Sequence, residues 1–191
     1  MTGLEHRLYQ QPWPEGEYRF FQLGFLVDDI TEAAGRWARV FGVGPFHVMP
    51  VFDAPTMYRG TETSIRAQVA VAQAGPVQIE LIRQYCDTPS VYRDWTRNGA
   101  ASLHQLATVT PDYEGTKARY EAQGYQIEAE NMSPKMRVAY VDTSADFGFY
   151  TEVVEQTPGF LANLGRISRS SAGWDGTDPV RQLGERGRAR D

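Results

Sequence analysis

The chain has 191 residues, with 19 basic and 24 acidic side chains and a formal net charge of −5, which argues against nucleic acid or an anionic membrane as its main partner. No apolar run approaches bilayer length, and the start, Met1-Thr2-Gly3-Leu4-Glu5-His6-Arg7, has no apolar signal core, so a cytoplasmic protein is expected. Cys86 is the single cysteine, which excludes an internal disulfide and a multi-cysteine zinc site; a three-histidine site would need every one of His6, His47 and His104.

Residues 1–17, rich in Gln, Pro and Gly, read as an extended lead-in. Tyr18 to Val27 reads as a strand in which Gln22 alone breaks the apolar character of one face. Asp29 or Thr31 can cap the helix that follows. Its stripe of Ile30, Ala33, Ala34, Trp37, Ala38 and Phe41 ends at Gly42.

Gly44-Pro45 turns the chain into a strand at Phe46 to Val51. Phe52 to Thr63, with Asp53, Pro55, Met57, Tyr58, Arg59 and Gly60, lacks a clear period and reads as a long hairpin connection. Strands at Ser64–Ala72 and Pro76–Ile82 complete a β-α-β-β-β unit over 18–83. A helical linker over 84–100, started by Thr88-Pro89 and carrying Val91, Tyr92 and Trp95, breaks at Asn98-Gly99.

A second unit occupies 101–155, with a helix opened by Thr110-Pro111, strands near Tyr125–Met132 and Arg137–Asp142, and a last strand around Glu152. Over 156–191, Thr157-Pro158 starts a C-terminal helix with Phe160, Leu161, Leu164 and Ile167. Trp174-Asp175-Gly176 turns the chain, and Arg181 to Asp191 reads as a frayed polar tail.

The two units are related by an offset of 83. Gln22-Leu23-Gly24 falls on Gln105-Leu106-Ala107, Asp29 on Asp112, Ile30 on Tyr113 and Trp37 on Tyr120. Each unit also ends in a β-rich stretch with a Glu at its middle, Val77-Gln78-Ile79-Glu80-Leu81-Ile82 and Phe149-Tyr150-Thr151-Glu152-Val153-Val154. A carboxylate inside a buried strand is costly without a partner, so a matched pair needs a reason. Gln22, Glu80, Gln105 and Glu152 are therefore expected to converge on one pocket between halves related by a pseudo-twofold, in an α+β fold of two βαβββ modules forming a curved mixed sheet. Gln22 to Glu80 spans 58 positions and Gln105 to Glu152 spans 47. The surplus is placed in the Phe52–Thr63 hairpin, read as a loop over the pocket or as a solvated hairpin without a role.

This arrangement resembles the vicinal-oxygen-chelate family, which includes glyoxalase I, methylmalonyl-CoA epimerase, extradiol dioxygenases and the bleomycin-resistance proteins. The residues that carry the resemblance are Gln22 to Asp29, Gln78 to Ile82, Leu103-His104-Gln105-Leu106-Ala107 and Thr151 to Glu155. It implies one divalent cation held at Gln22, Glu80, Gln105 and Glu152. The third place is usually His, often the second of a His-His pair, and here the pair reads His104-Gln105. Alternation turns Gln105 inward with Gln22 and puts His104 on the helix-packed face beside Phe21; a one-residue bulge would make His104 the ligand instead. Two amides and two carboxylates suit magnesium, manganese or calcium better than zinc, or no metal, with each Gln bonding a Glu or the substrate.

The resemblance further implies metal-assisted proton transfer of epimerase, isomerase or lyase type on a carbonyl, carboxylate or acyl-CoA ligand, with Glu152 as the base, Glu80 as the second acid, and a homodimer. Tyr58, Arg59, Phe46, Met57, Tyr92 and Tyr150 are the substrate-binding candidates, against the reading that such aromatics are core and such arginines solvated surface. Extradiol oxygenation, which uses two His and a carboxylate on iron, is disfavoured. The alternative is a binding protein without chemistry, resembling bleomycin-resistance proteins. Cys86 with His104 as its base would be a nucleophile, but nothing in the sequence joins them; a lone cysteine is more often a small core residue.

Overall fold

A computed structural model describes residues 20–95, 102–131, 133 and 136–183. The lead-in at 1–17 with His6, the stretch of the linker holding Arg97 and Asn98-Gly99, Met132, and 184–191 of the expected tail lie outside the described residues.

The first half runs β1 (Phe20–Leu26), α1 (Ile30–Phe41), β2 (Phe46–Val48), β3 (Phe52–Tyr58), β4 (Thr61–Ala74) and β5 (Val77–Gln84), followed by the short α2 (Val91–Trp95). The second half runs β6 (Ser102–Thr110), α3 (Tyr113–Ala122), β7 (Ile127–Asn131), β8 (Val138–Val141), α4 (Ser144–Phe147) and β9 (Tyr150–Glu155). α5 (Pro158–Ser171) and β10 (Val180–Gln182) complete the described chain.

The strands form one mixed sheet, in the order β10-β2-β4-β3-β7-β8-β9-β6-β1-β5, that closes on itself through pairing of β4 with β5. Each half repeats the same pattern. β1 lies parallel to β5 as β6 lies parallel to β9, and β4–β5 matches the antiparallel β8–β9. The halves meet twice, where β1 runs antiparallel to β6 and where β3 runs antiparallel to β7. A pseudo-twofold passes through those two seams.

The helices form where their caps and stripes place them. The Asp29 side chain accepts from Glu32 N at 2.8 Å to start α1, and Gly42 closes it at φ 64, a left-handed angle that glycine adopts without cost. Asp112, one residue beyond the expected Thr110-Pro111, plays the same part for α3 by accepting from Gly115 N at 3.0 Å. Thr110 instead packs under α3, where its hydroxyl meets Thr116 at 2.8 Å. α1 covers an outer core of Ile30, Ala34, Phe46 and Leu81, and α3 a smaller one of Tyr113, Ala139, Val141 and Val153. The inner core, inside the barrel, is made by Leu26, Ile82, Tyr92, Tyr140, Tyr150 and Val154 among others.

Two expectations about the chain path are corrected. Phe52–Thr63 is no loose loop: β3 and β4 pair without interruption from Phe52–Ala67 to Tyr58–Thr61, and only Arg59-Gly60 turns, with both residues at positive φ (46 and 75). Pro55 is tolerated there because β7 pairs only with Thr56–Tyr58, which leaves the second edge of β3 open at Phe52–Pro55. The second correction lies at the C-terminal end, where Val180–Gln182 adds to β2 as a parallel strand, anchored by Phe46 N to Pro179 O (2.8 Å) and Leu183 N to Val48 O (2.7 Å). β2 offers a free edge there, and backbone pairing needs no apolar side chains.

Candidate active site

The inward faces of the strands on either side of the β1/β6 seam carry two rows of three residues, each running across three strands. In one, Gln105 of β6 pairs with Gly24 of β1, which pairs with Glu80 of β5. In its twin, Gln22 of β1 pairs with Ala107 of β6, which pairs with Glu152 of β9. The first row is bridged. Gln105 lies flat over Gly24, where an added Cβ would come within 2.6 Å of its Cγ, and its Nε2 donates to Glu80 Oε2 at 3.2 Å. The same nitrogen donates its other hydrogen to Glu152 Oε2 at 2.9 Å, so one amide joins the acids of both halves. Gln22 is buried, at 7% exposure, and makes no hydrogen bond to either acid.

His104 corrects the alternation argument. The register of β1 on β6 slips between Gly24–Gln105 and Phe25–Leu103, a bulge at His104 that turns it and Gln105 to the same side. Both are fully buried. His104 does not become an open ligand, because its ring is enclosed by Tyr92 (5.1 Å between centroids), Trp95 (5.8 Å), Tyr140 (6.2 Å) and Tyr150, stacked at 5.1 Å. Its Nδ1 meets Gln105 Oε1 at 2.5 Å and its Nε2 faces Val91 O at 3.2 Å. Because the amide Nε2 reaches both carboxyls, Oε1 is left to His104 and accepts from Nδ1, which places the ring N–H there. Burial lowers the His104 pKa to about 4, so the ring is neutral at physiological pH.

The two carboxyls differ. Burial raises both, but Glu152 is pulled back by hydrogen bonds from Tyr140 (3.2 Å to Oε1) and Gln105, and stands at about 7. Glu80 is held well above the ordinary carboxylate value by burial and by the negative charge of Glu152. As pH rises through about 7 the first charge of the pair forms on Glu152, while Glu80 holds its proton longer. Tyr140 sits directly across from Glu152 on β8 and its hydroxyl meets that of Tyr92 at 2.6 Å. Burial, with Glu152 second, keeps both phenols protonated.

A cavity of about 500 Å³ reaches this cluster, lined at its deep end by Glu80, Glu152, Tyr92 and Tyr140. Its mouth lies where β3 and β7 part, at Asp53, Pro55, Asn131 and Ser133. Of the six substrate-binding candidates, Tyr92 alone lines it. Phe46 packs under α1 on the outer side of the sheet, and Tyr150 is spent stacking on His104. Tyr58 donates to Asp94 at 2.5 Å, Met57 faces away from its buried neighbours Thr56 and Tyr58, and Arg59 sits at the hairpin tip, paired with Asp94 (2.9 Å) and Glu128. Cys86 accepts from Arg66 N at 3.2 Å and shares no contact with His104. His47 is bonded to Ser170.

Tyr140 and Asn131 escaped the sequence reading, while Asp53 lies in the Phe52–Thr63 hairpin expected over the pocket, of which Phe52 to Thr56 line the cavity. Only the direct pairing of Tyr140 with Glu152 marks it, and that follows from strand register rather than from the repeat.

Members of this fold commonly hold a divalent metal, and the residues here do not fit one as they are arranged. The amide that faces both carboxylates presents N–H donors, which cannot ligate a cation, and its oxygen is taken by His104. Among the described residues no group of three or more His, Cys, Asp or Glu comes together to hold an ion.

A barrel of two βαβββ halves with its acids at the shared seam defines the vicinal-oxygen-chelate fold. The chain belongs to the Glyoxalase/Bleomycin resistance protein/Dioxygenase superfamily, whose profile matches residues 21–140. No protein of curated function matches the sequence. Among solved structures it is similar to methylmalonyl-CoA epimerase from Mycobacterium tuberculosis, with 18% identity, a TM-score of 0.56 and coverage of 81% of this chain and 99% of that one. A methylmalonyl-CoA epimerase in complex with methylmalonyl-CoA and NH4+ matches with 15% identity, a TM-score of 0.50 and 75% and 97% coverage. A hypothetical protein from Bacillus halodurans matches with 13% identity, a TM-score of 0.50 and 73% and 94% coverage. At these identities the likeness concerns the fold.

Proposed function

We propose that the protein is an enzyme that moves a proton at the carbon next to a carbonyl group, in the manner of an epimerase or isomerase. One observation carries the reading: two carboxyls in unlike surroundings, Glu152 with donors from Tyr140 and Gln105 and Glu80 with Gln105 alone, line one cavity and are tied together by that amide. A pair split in this way suits opposite roles. Glu152, ionised above about pH 7, takes the substrate proton, and the electron pair of the broken C–H bond moves onto the carbonyl oxygen. Tyr92, turning its O–H from Tyr140 to that oxygen, supplies the donor for the enolate, while Tyr140 stays on Glu152. Glu80, protonated, returns a proton to carbon and leaves the pair ready for the reverse transfer. No step is routed through a cation. A homodimer, suggested by the family, and a cytoplasmic location, expected from the absence of an apolar run of bilayer length in the sequence, belong to this proposal too.

The apolar lining of the cavity favours a second reading, sequestration of a ligand without chemistry. Exchange of substrate α-hydrogen for solvent deuterium separates the two. Exchange that is lost in Glu152→Gln supports the enzyme, and a ligand bound without exchange supports the binding protein.

A further inference from the structure

We infer that the cavity takes an uncharged, largely apolar carbonyl compound and rejects anions, free carboxylates and CoA thioesters alike. The carbonyl rests on the proton-transfer reading; the charge selection does not.

The ionisable carboxyls among the described lining residues are Asp53, Glu80 and Glu152, and no Lys, Arg or His is among those residues. The walls between mouth and acids are built from Met49, Phe52, Ile65, Val69, Met136 and Val138. An anion entering this space would leave water, find no counter-charge along those walls, and approach the carboxylate of Glu152 where the local dielectric is low.

Arg66, across the β3–β4 ladder from Asp53, is not among the lining residues, and three further arginines are spent elsewhere. Arg59 is paired with Asp94 and Glu128, Arg93 donates to Cys86 O and is paired with Asp87, and Arg83 lies over the Tyr85 ring at 4.5 Å. Methylmalonyl-CoA, the ligand of one structural neighbour, carries a free carboxylate and several phosphate charges, and the described walls offer them nothing. The cavity volume of about 500 Å³ lies within the range for compact organic ligands. An uncharged ketone loses little on leaving water and can place its oxygen on the O–H of Tyr92.

The test is calorimetric titration of the full chain at pH 8 with three probes: 2-acetylnaphthalene, an uncharged ketone; 2-naphthoate, the anion on the same skeleton; and acetyl-CoA. The ketone is expected to bind at least about tenfold more tightly than naphthoate, and acetyl-CoA to give no binding. In Glu80→Gln/Glu152→Gln, whose fold is checked by its melting transition, naphthoate should gain about tenfold while the ketone changes less than about threefold. Glu152→Gln alone should show the same trend should the double variant fail to fold. Naphthoate or acetyl-CoA binding as tightly as the ketone, or a ketone that does not bind, overturns the inference. Deuterium exchange at the methyl group of the bound ketone is read separately; binding without exchange would leave the charge selection standing and remove the proton-transfer reading.

Discussion

The two Gln–small–Glu rows are built on one pattern and differ at their middle residue. Gly24 leaves room for Gln105 to lie across β1 and reach Glu80, whereas Ala107 puts a methyl group at the matching place beneath Gln22. A second asymmetry lies across the barrel wall, where Glu152 faces Tyr140 and Glu80 faces Val71. One acid therefore gains a phenol donor and the shared amide, and the other keeps only the longer bond to that amide. Near-symmetry brings two carboxyls together; its breaking gives them different proton affinities.

Changes at these positions should break the comparison by graded amounts. Glu152→Gln is expected to cost about 10²–10⁴-fold in proton exchange at a bound carbonyl compound, measured by NMR, while Glu80→Gln slows return to carbon more than abstraction. Gly24→Ala would drive a Cβ into Gln105, so a destabilisation of about 1–3 kcal/mol is expected in a urea titration, together with loss of the link between the acids. Tyr140→Phe removes the phenol donor and should raise the Glu152 pKa, moving the pH–rate midpoint upward and costing about 1 kcal/mol of stability. Ala107→Gly, which gives the second row the room of the first, should cost only about 0.5–1 kcal/mol and leave exchange within about twofold.

The pH dependence of stability follows from the same pair. Glu152 goes from an ordinary 4.5 to about 7 on folding, so between those values the folded chain holds a proton that the unfolded chain has released. Its contribution to stability therefore falls as pH rises from about 4.5 through about 7, and Glu80 acts in the same direction. His104, lowered from 6.5 to about 4, acts the opposite way and costs stability as pH falls through that window. Glu152→Gln should remove the first component and, by taking away the charge beside Glu80, lessen the Glu80 one as well. Melting curves of the variant against wild type should thus diverge most above about pH 7, with the variant the more stable.

Much of the architecture was legible because strand side chains alternate: the 83-residue offset matched Gln22 and Gly24 to Gln105 and Ala107, and the Glu at the middle of each unit's last β-rich stretch matched Glu80 to Glu152 before any coordinates. The bulge at His104 was not, since one extra residue in a strand leaves no mark in an otherwise apolar pattern. Tyr140 escaped because its role depends on the register of β8 against β9, a pairing that no local pattern encodes. Asp53 and Pro55 looked like part of a loop because turn-forming residues are tolerated on an edge left open, and both line the cavity there, whereas Gly60 does turn the chain. The aromatic candidates divided by layer. Phe46 lies outside the barrel and Tyr92 inside it, and single-residue chemistry does not distinguish the two.

The central claim, one proton shared unequally by two acids under a common amide, is tested most directly by following the carboxyl carbons of ¹³C-labelled glutamate by NMR from about pH 4 to about pH 9, with Glu80→Gln and Glu152→Gln for assignment. The expected result is one buried carboxyl, lost in Glu152→Gln, titrating near 7, and a second, lost in Glu80→Gln, still protonated there. Both signals titrating together near 4.5 would contradict it.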